Sequence, residues 1–446
     1  MTLRVPFLAC AFLLGAASAT TVTGGDWPGF RGPNRDGVST ETGLMKKWPE
    51  GGPKQVWTAK KLGTGWGTPS AADGMIFGIG QRDKKDGVWA LKEADGSEVW
   101  FTKIADPANG LGGQTNGPAS TPTYHNGKLY AVSADGTLAC LDAKTGKAEW
   151  SKNYVKDFGG AVPKWGYSDS VLADGDKIIC APGGRNAAVV ALSADKGAVK
   201  WKTDAGETTD PKGKKVSGQG YSCPVKANVG GVAQYVVLLG NGPGIVGVHA
   251  ETGKVLWRYN GVGASGSTAQ IPTPVVKGDL VWVSCSYDPP GAGSALLQIV
   301  AKGKDAFEAK VVTTYKKAEA NNHHGGMVLV GDYIYFGHDQ NQGNPICIEF
   351  KTGAIKWGPE KSPAGGSGSA ATLYADGRLY FRYQNGTMVL IEPSPDSLKV
   401  VSSFKLPAPD QKSFPASWPH PVIVNGKLYL RDQTVMYCYD VKAAGN

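Results

Sequence analysis

The chain lacks most of the features that would announce a chemistry. It has no CxxC pair, no adjacent cysteines and no CxxCH site, which removes dithiol-redox, zinc-ribbon and covalent-haem readings. It has no P-loop and no nucleophile motif of the hydrolase kind. No cluster of five or six basic residues exists, although the net charge is +9; the lysine pairs are scattered among turns, so a nucleic-acid surface is not expected. Charged residues are only 19% and no run beyond the first 17 residues approaches the roughly 18 apolar residues of a membrane span. What the chain has in excess is glycine, 63 of 446 residues or about twice ordinary usage, together with 13 Trp and 17 Tyr. That combination points to many short strands, tight turns and large aromatic anchors.

The N-terminus reads as one positive charge at Arg4, an apolar run over 5–17 and a small-residue site Ala17-Ser18-Ala19. This pattern predicts a secretory signal peptide over 1–19 and an exported chain, periplasmic or extracellular. A lead-in segment over 20–53 follows, and a single repeat domain is expected over 54–446.

Self-similarity is the strongest signal. The segment Cys140-Leu141-Asp142-Ala143-Lys144-Thr145-Gly146-Lys147-Ala148-Glu149-Trp150 returns at its end as Thr252-Gly253-Lys254-Val255-Leu256-Trp257 and as Thr352-Gly353-Ala354-Ile355-Lys356-Trp357. Weaker copies end at Trp100 and Trp201, so the Trp recurs at intervals of about 50 residues. Three further copies lack the Trp, giving eight units of four short runs separated by Gly, Asn and Asp turns. Such units cannot bury their faces alone, and radial stacking makes an all-β, eight-bladed propeller of four-stranded antiparallel blades. The last unit, Asn425-Gly426-Lys427-Leu428-Tyr429 to Asp440, has room for three strands only, and Lys54-Gln55-Val56-Trp57-Thr58 supplies a fourth. The ring is therefore expected to close on its own N-terminal strand. Cys140, Cys347 and Cys438 fall at one repeat position and read as buried small hydrophobes, leaving Cys180, Cys223 and Cys285 for any pairing.

These residues resemble the repeat of pyrroloquinoline-quinone (PQQ) propellers. The resemblance implies that Trp57, Trp100, Trp150, Trp201, Trp257 and Trp357 dock on the neighbouring blade. The opening Asp26-Trp27-Pro28-Gly29-Phe30-Arg31-Gly32-Pro33 and the run Asn322-His323-His324-Gly325-Gly326 are similar to a bacterial exported subgroup. Two classes follow from the resemblance. Quinoprotein dehydrogenases oxidise alcohols or sugars with PQQ and Ca²⁺, whereas the propeller lipoprotein of the outer-membrane β-barrel assembly machine binds partner proteins. The adjacent cysteines that clamp PQQ in the dehydrogenases are absent here, and no Glu/Asn/Asp calcium set matches by motif.

The residues that depart from the repeat lie before the first strand of each unit. Trp66, Trp165, Tyr167, Tyr221 and Trp418 recur there and are expected to form a stacking surface for a planar or sugar-like ligand. Asp169, Asn322, His323, His324 and His420 would add polar contacts, with Asp169 the candidate base if the chain is an enzyme. Equally, these aromatics could simply plug the channel. Adjacent histidines on a strand point to opposite faces, so no metal site is expected. The lead-in is expected to pack across one face of the ring, with Arg31 held by carbonyls or a carboxylate. The reading is thus an exported, monomeric binding or scaffold propeller that takes a protein partner, small molecule or glycan, with a PQQ-dependent dehydrogenase as the alternative.

Overall fold

A computed structural model describes residues 25–108, 117–205, 221–240, 242–262, 269–287, 292–407 and 417–443. The expected signal peptide over 1–19 lies outside the described residues.

Short strands form because Asn-Gly and Asp-Gly pairs break the chain at regular intervals. Asp73-Gly74, Asn126-Gly127, Asp376-Gly377 and Asn425-Gly426 all hold positive φ at both positions, the requirement of a tight two-residue hairpin. Each joins the first and second strands of a unit. The described residues form eight sheets, each built on four antiparallel strands, consecutive in all but the last. We number them as blades 1 (70–105), 2 (123–153), 3 (172–203), 4 (225–259), 5 (275–316), 6 (327–357), 7 (370–405) and 8 (422–440).

Blade 8 is completed by Lys54–Ala59, which pairs antiparallel with Val435–Asp440, Trp57 standing opposite Cys438. The ring closes on its N-terminal strand as the sequence implies, and neither terminal blade is left with a missing strand. Blade 7 carries a fifth strand, Val38–Ser39, parallel to Ala370–Ala375.

The core lies between neighbouring blades. Second and third strands are buried on both faces: Ile178 and Val190 of blade 3 pack toward Cys140 of blade 2, while Ile179 and Val189 pack toward Tyr235 and Val246 of blade 4. Each such aliphatic side chain contributes about 1.5–3 kcal/mol of burial. The six cysteines of the described residues are buried and unbonded to one another.

The repeated tryptophans join blades. The indole Nε1 of Trp57, Trp100, Trp150 and Trp201 donates to the carbonyls of Glu93, Ala143, Ala194 and Ala250 in the next blade, at 3.1–3.3 Å. Gly96, Gly146, Gly197 and Gly253 lie directly beneath these rings at positive φ, and a Cβ there would meet the indole at 2.6–2.7 Å. Trp357 reaches Ser394 the same way. Trp257 differs: it donates to Gln234 Oε1 within its own blade, at 2.7 Å. The facing turn is missing because blade 5 extends its outer hairpin as Ala292–Gly303 and Ala306–Lys316. In blade 5 the outward link is made by Tyr315, whose hydroxyl donates to the Gly353 carbonyl of blade 6.

The lead-in crosses one end of the central channel. Trp27 bridges to Ala71 of blade 1, and the Pro28 carbonyl accepts from Tyr124 of blade 2. Arg35 donates to the Val171 carbonyl beside blade 3 at 2.8 Å. Arg31 donates to the Met327 carbonyl of blade 6 and to the Asp36 carbonyl. Both arginines are buried and sit in the left-handed region, with φ of 63° and 58°. Carbonyls hold Arg31, one of the two arrangements its position suggested.

Candidate functional site

Against the lead-in, where the chain enters each first strand, lies a cavity of about 170 Å³. Its wall is a chain of touching rings contributed by six blades. Tyr221 approaches Trp165 with ring centroids 6.1 Å apart, and Trp165 approaches Tyr287 at 5.8 Å. Tyr287 meets His323 edge-on at 4.9 Å, and His323 lies 4.0 Å from His324. His324 packs on Trp418 at 4.7 Å, and Trp418 on Trp66 at 4.6 Å. Phe30 of the lead-in meets His420 edge-on at 5.1 Å, and both line the cavity.

Seven residues singled out from the sequence therefore meet at one place: Trp66, Trp165, Tyr221, His323, His324, Trp418 and His420. Three do not line it. Tyr167 packs on Tyr154 and donates to the Pro182 carbonyl. Asn322 donates to the Gly337 carbonyl. Asp169 is fully buried, and its Oδ2 accepts from the Tyr154 hydroxyl at 3.1 Å and the Ala181 amide at 3.2 Å. Burial pushes the Asp169 carboxyl up to about 6. Ser168 and Ser170 line the cavity while Tyr167 and Asp169 between and before them face away, the two-residue alternation of extended chain. The same alternation was expected to separate His323 from His324, and it does not: they lie in an irregular segment ahead of Met327–Val330, so both rings line the cavity.

Two aromatic cavity residues escaped the sequence reading. Phe30 comes from the lead-in. Tyr287 lies between the second and third strands of blade 5, not ahead of a first strand like the aromatics the repeat pointed to. The aromatic in Cys285-Ser286-Tyr287-Asp288-Pro289-Pro290, beside a proline pair in an extended loop, was the available signal.

The imidazoles are neutral because burial disfavours their charged form. His324 and His420 are pushed down to about 3, and His323 well below its ordinary value. The His323 tautomer follows from its partners. Ser369 Oγ donates to the Gln340 carbonyl, so it accepts from His323 Nδ1–H, 2.6 Å away. Nε2 is then the bare nitrogen and accepts from the Tyr287 hydroxyl at 2.7 Å. His420 Nε2 lies 2.9 Å from the His324 carbonyl, which can only accept, so it carries the proton.

The lining residues do not fit a calcium–quinone centre. Among the described residues, those that line it include no carboxylate and no cationic side chain, although PQQ is a tricarboxylate and Ca²⁺ needs several oxygen ligands. Among the described residues, no three His, Cys, Asp or Glu side chains are grouped to hold a metal ion. Asp169, the one carboxylate expected here as a base, faces away from the cavity.

Comparison with known proteins gives a matching picture. The family described as outer membrane protein assembly factor BamB matches residues 84–359, more than half of the chain. A quinohemoprotein alcohol dehydrogenase, ADH IIB of Pseudomonas putida, is 27% identical over 186 residues, 38% of this chain and 24% of that protein. The dehydrogenase subunit of a quinone alcohol dehydrogenase from Komagataeibacter europaeus is 32% identical over 150 residues, 30% of this chain and 19% of that protein. The aligned part thus spans a quarter or less of these relatives. Among solved structures, BamB from Moraxella catarrhalis superposes with a TM-score of 0.56 at 14% identity, covering 87% of this chain and 99% of that one. A quinohemoprotein alcohol dehydrogenase from Comamonas testosteroni gives 0.60 at 16% identity, covering 94% and 81%. At these identities the likeness shows the fold.

Proposed function

The chain belongs to the outer membrane protein assembly factor BamB family, and from that premise we propose that it is an exported binding module of the cell envelope, acting as a monomer. Its ligand or partner engages the aromatic mouth of the channel. The observation that carries this reading is the chain of aromatic and imidazole side chains from six blades along the wall of a cavity that has no charged side chain among the described residues. Concave, mostly apolar sites with a few convergent polar groups are how proteins hold small molecules and anchoring side chains. The leader-like N-terminus supports export, and among the described residues no helix is long and apolar enough to cross a membrane.

The second reading is a PQQ-dependent dehydrogenase of alcohols or sugars, favoured by the names of the two curated relatives. The donor set argues against it, because a carboxylate base and calcium ligands would have to come from residues other than those around the cavity. One titration separates the two. Purified protein is mixed with PQQ and Ca²⁺ and assayed for dye reduction with an alcohol panel. The binding reading expects no saturable uptake at micromolar PQQ. Saturable uptake with turnover that is lost in Asp169→Ala would replace it with the enzyme.

A further inference from the structure

The polar atoms left over inside the aromatic ring say what kind of molecule it accepts. Among the described residues, the buried indole Nε1 of Trp66 and the buried Nε2 of His324 have no hydrogen-bond partner. Thr68 lines the same cavity; its hydroxyl oxygen accepts from the His420 amide at 2.9 Å, which leaves its proton to donate. Tyr287 lines the cavity and spends its proton on His323, so its oxygen, which also meets the Gln340 side chain, can serve a ligand only as an acceptor. Beside its tilted rings the wall therefore holds at least two donors and an acceptor, and no charged side chain among the described residues.

We propose that this mouth binds a neutral sugar residue of an oligo- or polysaccharide. The inference rests on the binding reading above and specifies its ligand. A pyranose ring has apolar C–H faces that pack on indole and phenol rings, and hydroxyls that donate and accept at once. Trp66 and Trp418, 4.6 Å apart and tilted by 52°, form an angled platform for such a face, and Trp165 with Tyr287 forms a second. Other occupants satisfy less. An apolar aromatic side chain from a protein partner would leave the already buried Trp66 N–H and His324 nitrogen unpaired, and would gain neither of the hydrogen bonds, each worth about tenfold in affinity, that a hydroxyl can make to them. A multiply charged ligand such as PQQ would lose its hydration with no cation in the lining to replace it.

Maltotriose, cellotriose and chitotriose are titrated into the full chain by calorimetry and tryptophan fluorescence, beside a galacturonic acid trimer, PQQ with Ca²⁺ and a Trp-containing neutral peptide. We expect at least one neutral trisaccharide to saturate, the charged trimer to bind at least tenfold more weakly, Trp66→Ala to weaken binding about tenfold and Tyr287→Phe about fivefold. Circular dichroism and melting confirm that each variant is folded, and the conservative Tyr287→Phe change keeps the test open should Trp66→Ala misfold. If no neutral sugar binds while the peptide saturates in a manner lost on Tyr287→Phe, the sugar assignment falls and the binding reading stands. If no probe binds, or binding is unchanged in both variants, the sugar assignment and the location of the site at this mouth fall together.

Discussion

Acidification should loosen this propeller well before its surface carboxylates titrate. His324 and His420 are buried at the channel mouth and held neutral, with folded-state values of about 3 against an ordinary 6.5. Because the folded value is the lower one, the unfolded chain takes up protons first. Stability present above pH 6.5 is therefore lost as the pH falls toward 3. At pH 5 the unfolded state gains about 2 kcal/mol per histidine, or about 4 kcal/mol for the pair. His323 moves in the same direction, since burial and the neighbouring His324 both oppose its charge. Arg31 and Arg382 add to the penalty at His420. Asp169 works the other way. Its folded value is raised to about 6, so between pH 7 and 5 it binds a proton that the unfolded chain does not, returning about 1 kcal/mol. The net loss from pH 7 to pH 5 is about 3 kcal/mol from these three groups, and His323 adds to it in the same direction. Urea unfolding followed by tryptophan fluorescence at pH 7, 6 and 5 reads it directly, and His324→Gln should flatten the dependence by about 2 kcal/mol. A midpoint that is level between pH 7 and 5, or an equal slope in wild type and variant, would refute the claim that these imidazoles are buried neutral.

Three further outcomes follow from the ring itself. Trp357→Ala should cost about 3–5 kcal/mol in urea unfolding, because it empties a buried site between blades 6 and 7 and orphans the Ser394 carbonyl. Deleting residues through Ala59 removes the closing strand and exposes the edge of Val435–Asp440; the truncated chain should melt lower and associate, and an unchanged melting temperature would disprove closure. Arg431 is fully buried and donates to the carbonyls of Gly63, Gly67 and Ile79 in the closing region, so Arg431→Met should cost about 3 kcal/mol or more by leaving those backbone acceptors unpaired.

The ring was legible because its signals are local. A Gly beneath a docking Trp and an Asn-Gly or Asp-Gly hairpin both act within a few residues and repeat, and the missing fourth strand of blade 8 was visible as an incomplete copy. Blade 5 shows where that reading stops: its long hairpin removes the turn that Trp257 would have used, and Gln234, two strands away in blade 4, accepts from the indole N–H instead. The cavity was legible in part. Aromatic residues ahead of first strands converge because the fold brings all those segments to one end of the channel. Which of them face inward depends on local alternation, which turned Tyr167 and Asp169 away and left Ser168 and Ser170 in the wall. Tyr287 was illegible by position, since it reaches the cavity from a different loop, and its pairing with His323 joins residues far apart in the chain.

The most direct test of the binding account is the indole ¹H–¹⁵N spectrum of the protein. Trp57, Trp100, Trp150, Trp201 and Trp357 have their N–H groups bonded to backbone carbonyls between blades, while Trp66 lines the cavity and its N–H has no hydrogen-bond partner among the described residues. With signals assigned by single Trp→Phe changes, titration with the three neutral trisaccharides should shift Trp66, Trp165 and Trp418 and leave the inter-blade set in place. Shifts confined to the inter-blade indoles, or no shift at Trp66 with a ligand that calorimetry shows to be bound, would contradict the assignment of function to this mouth.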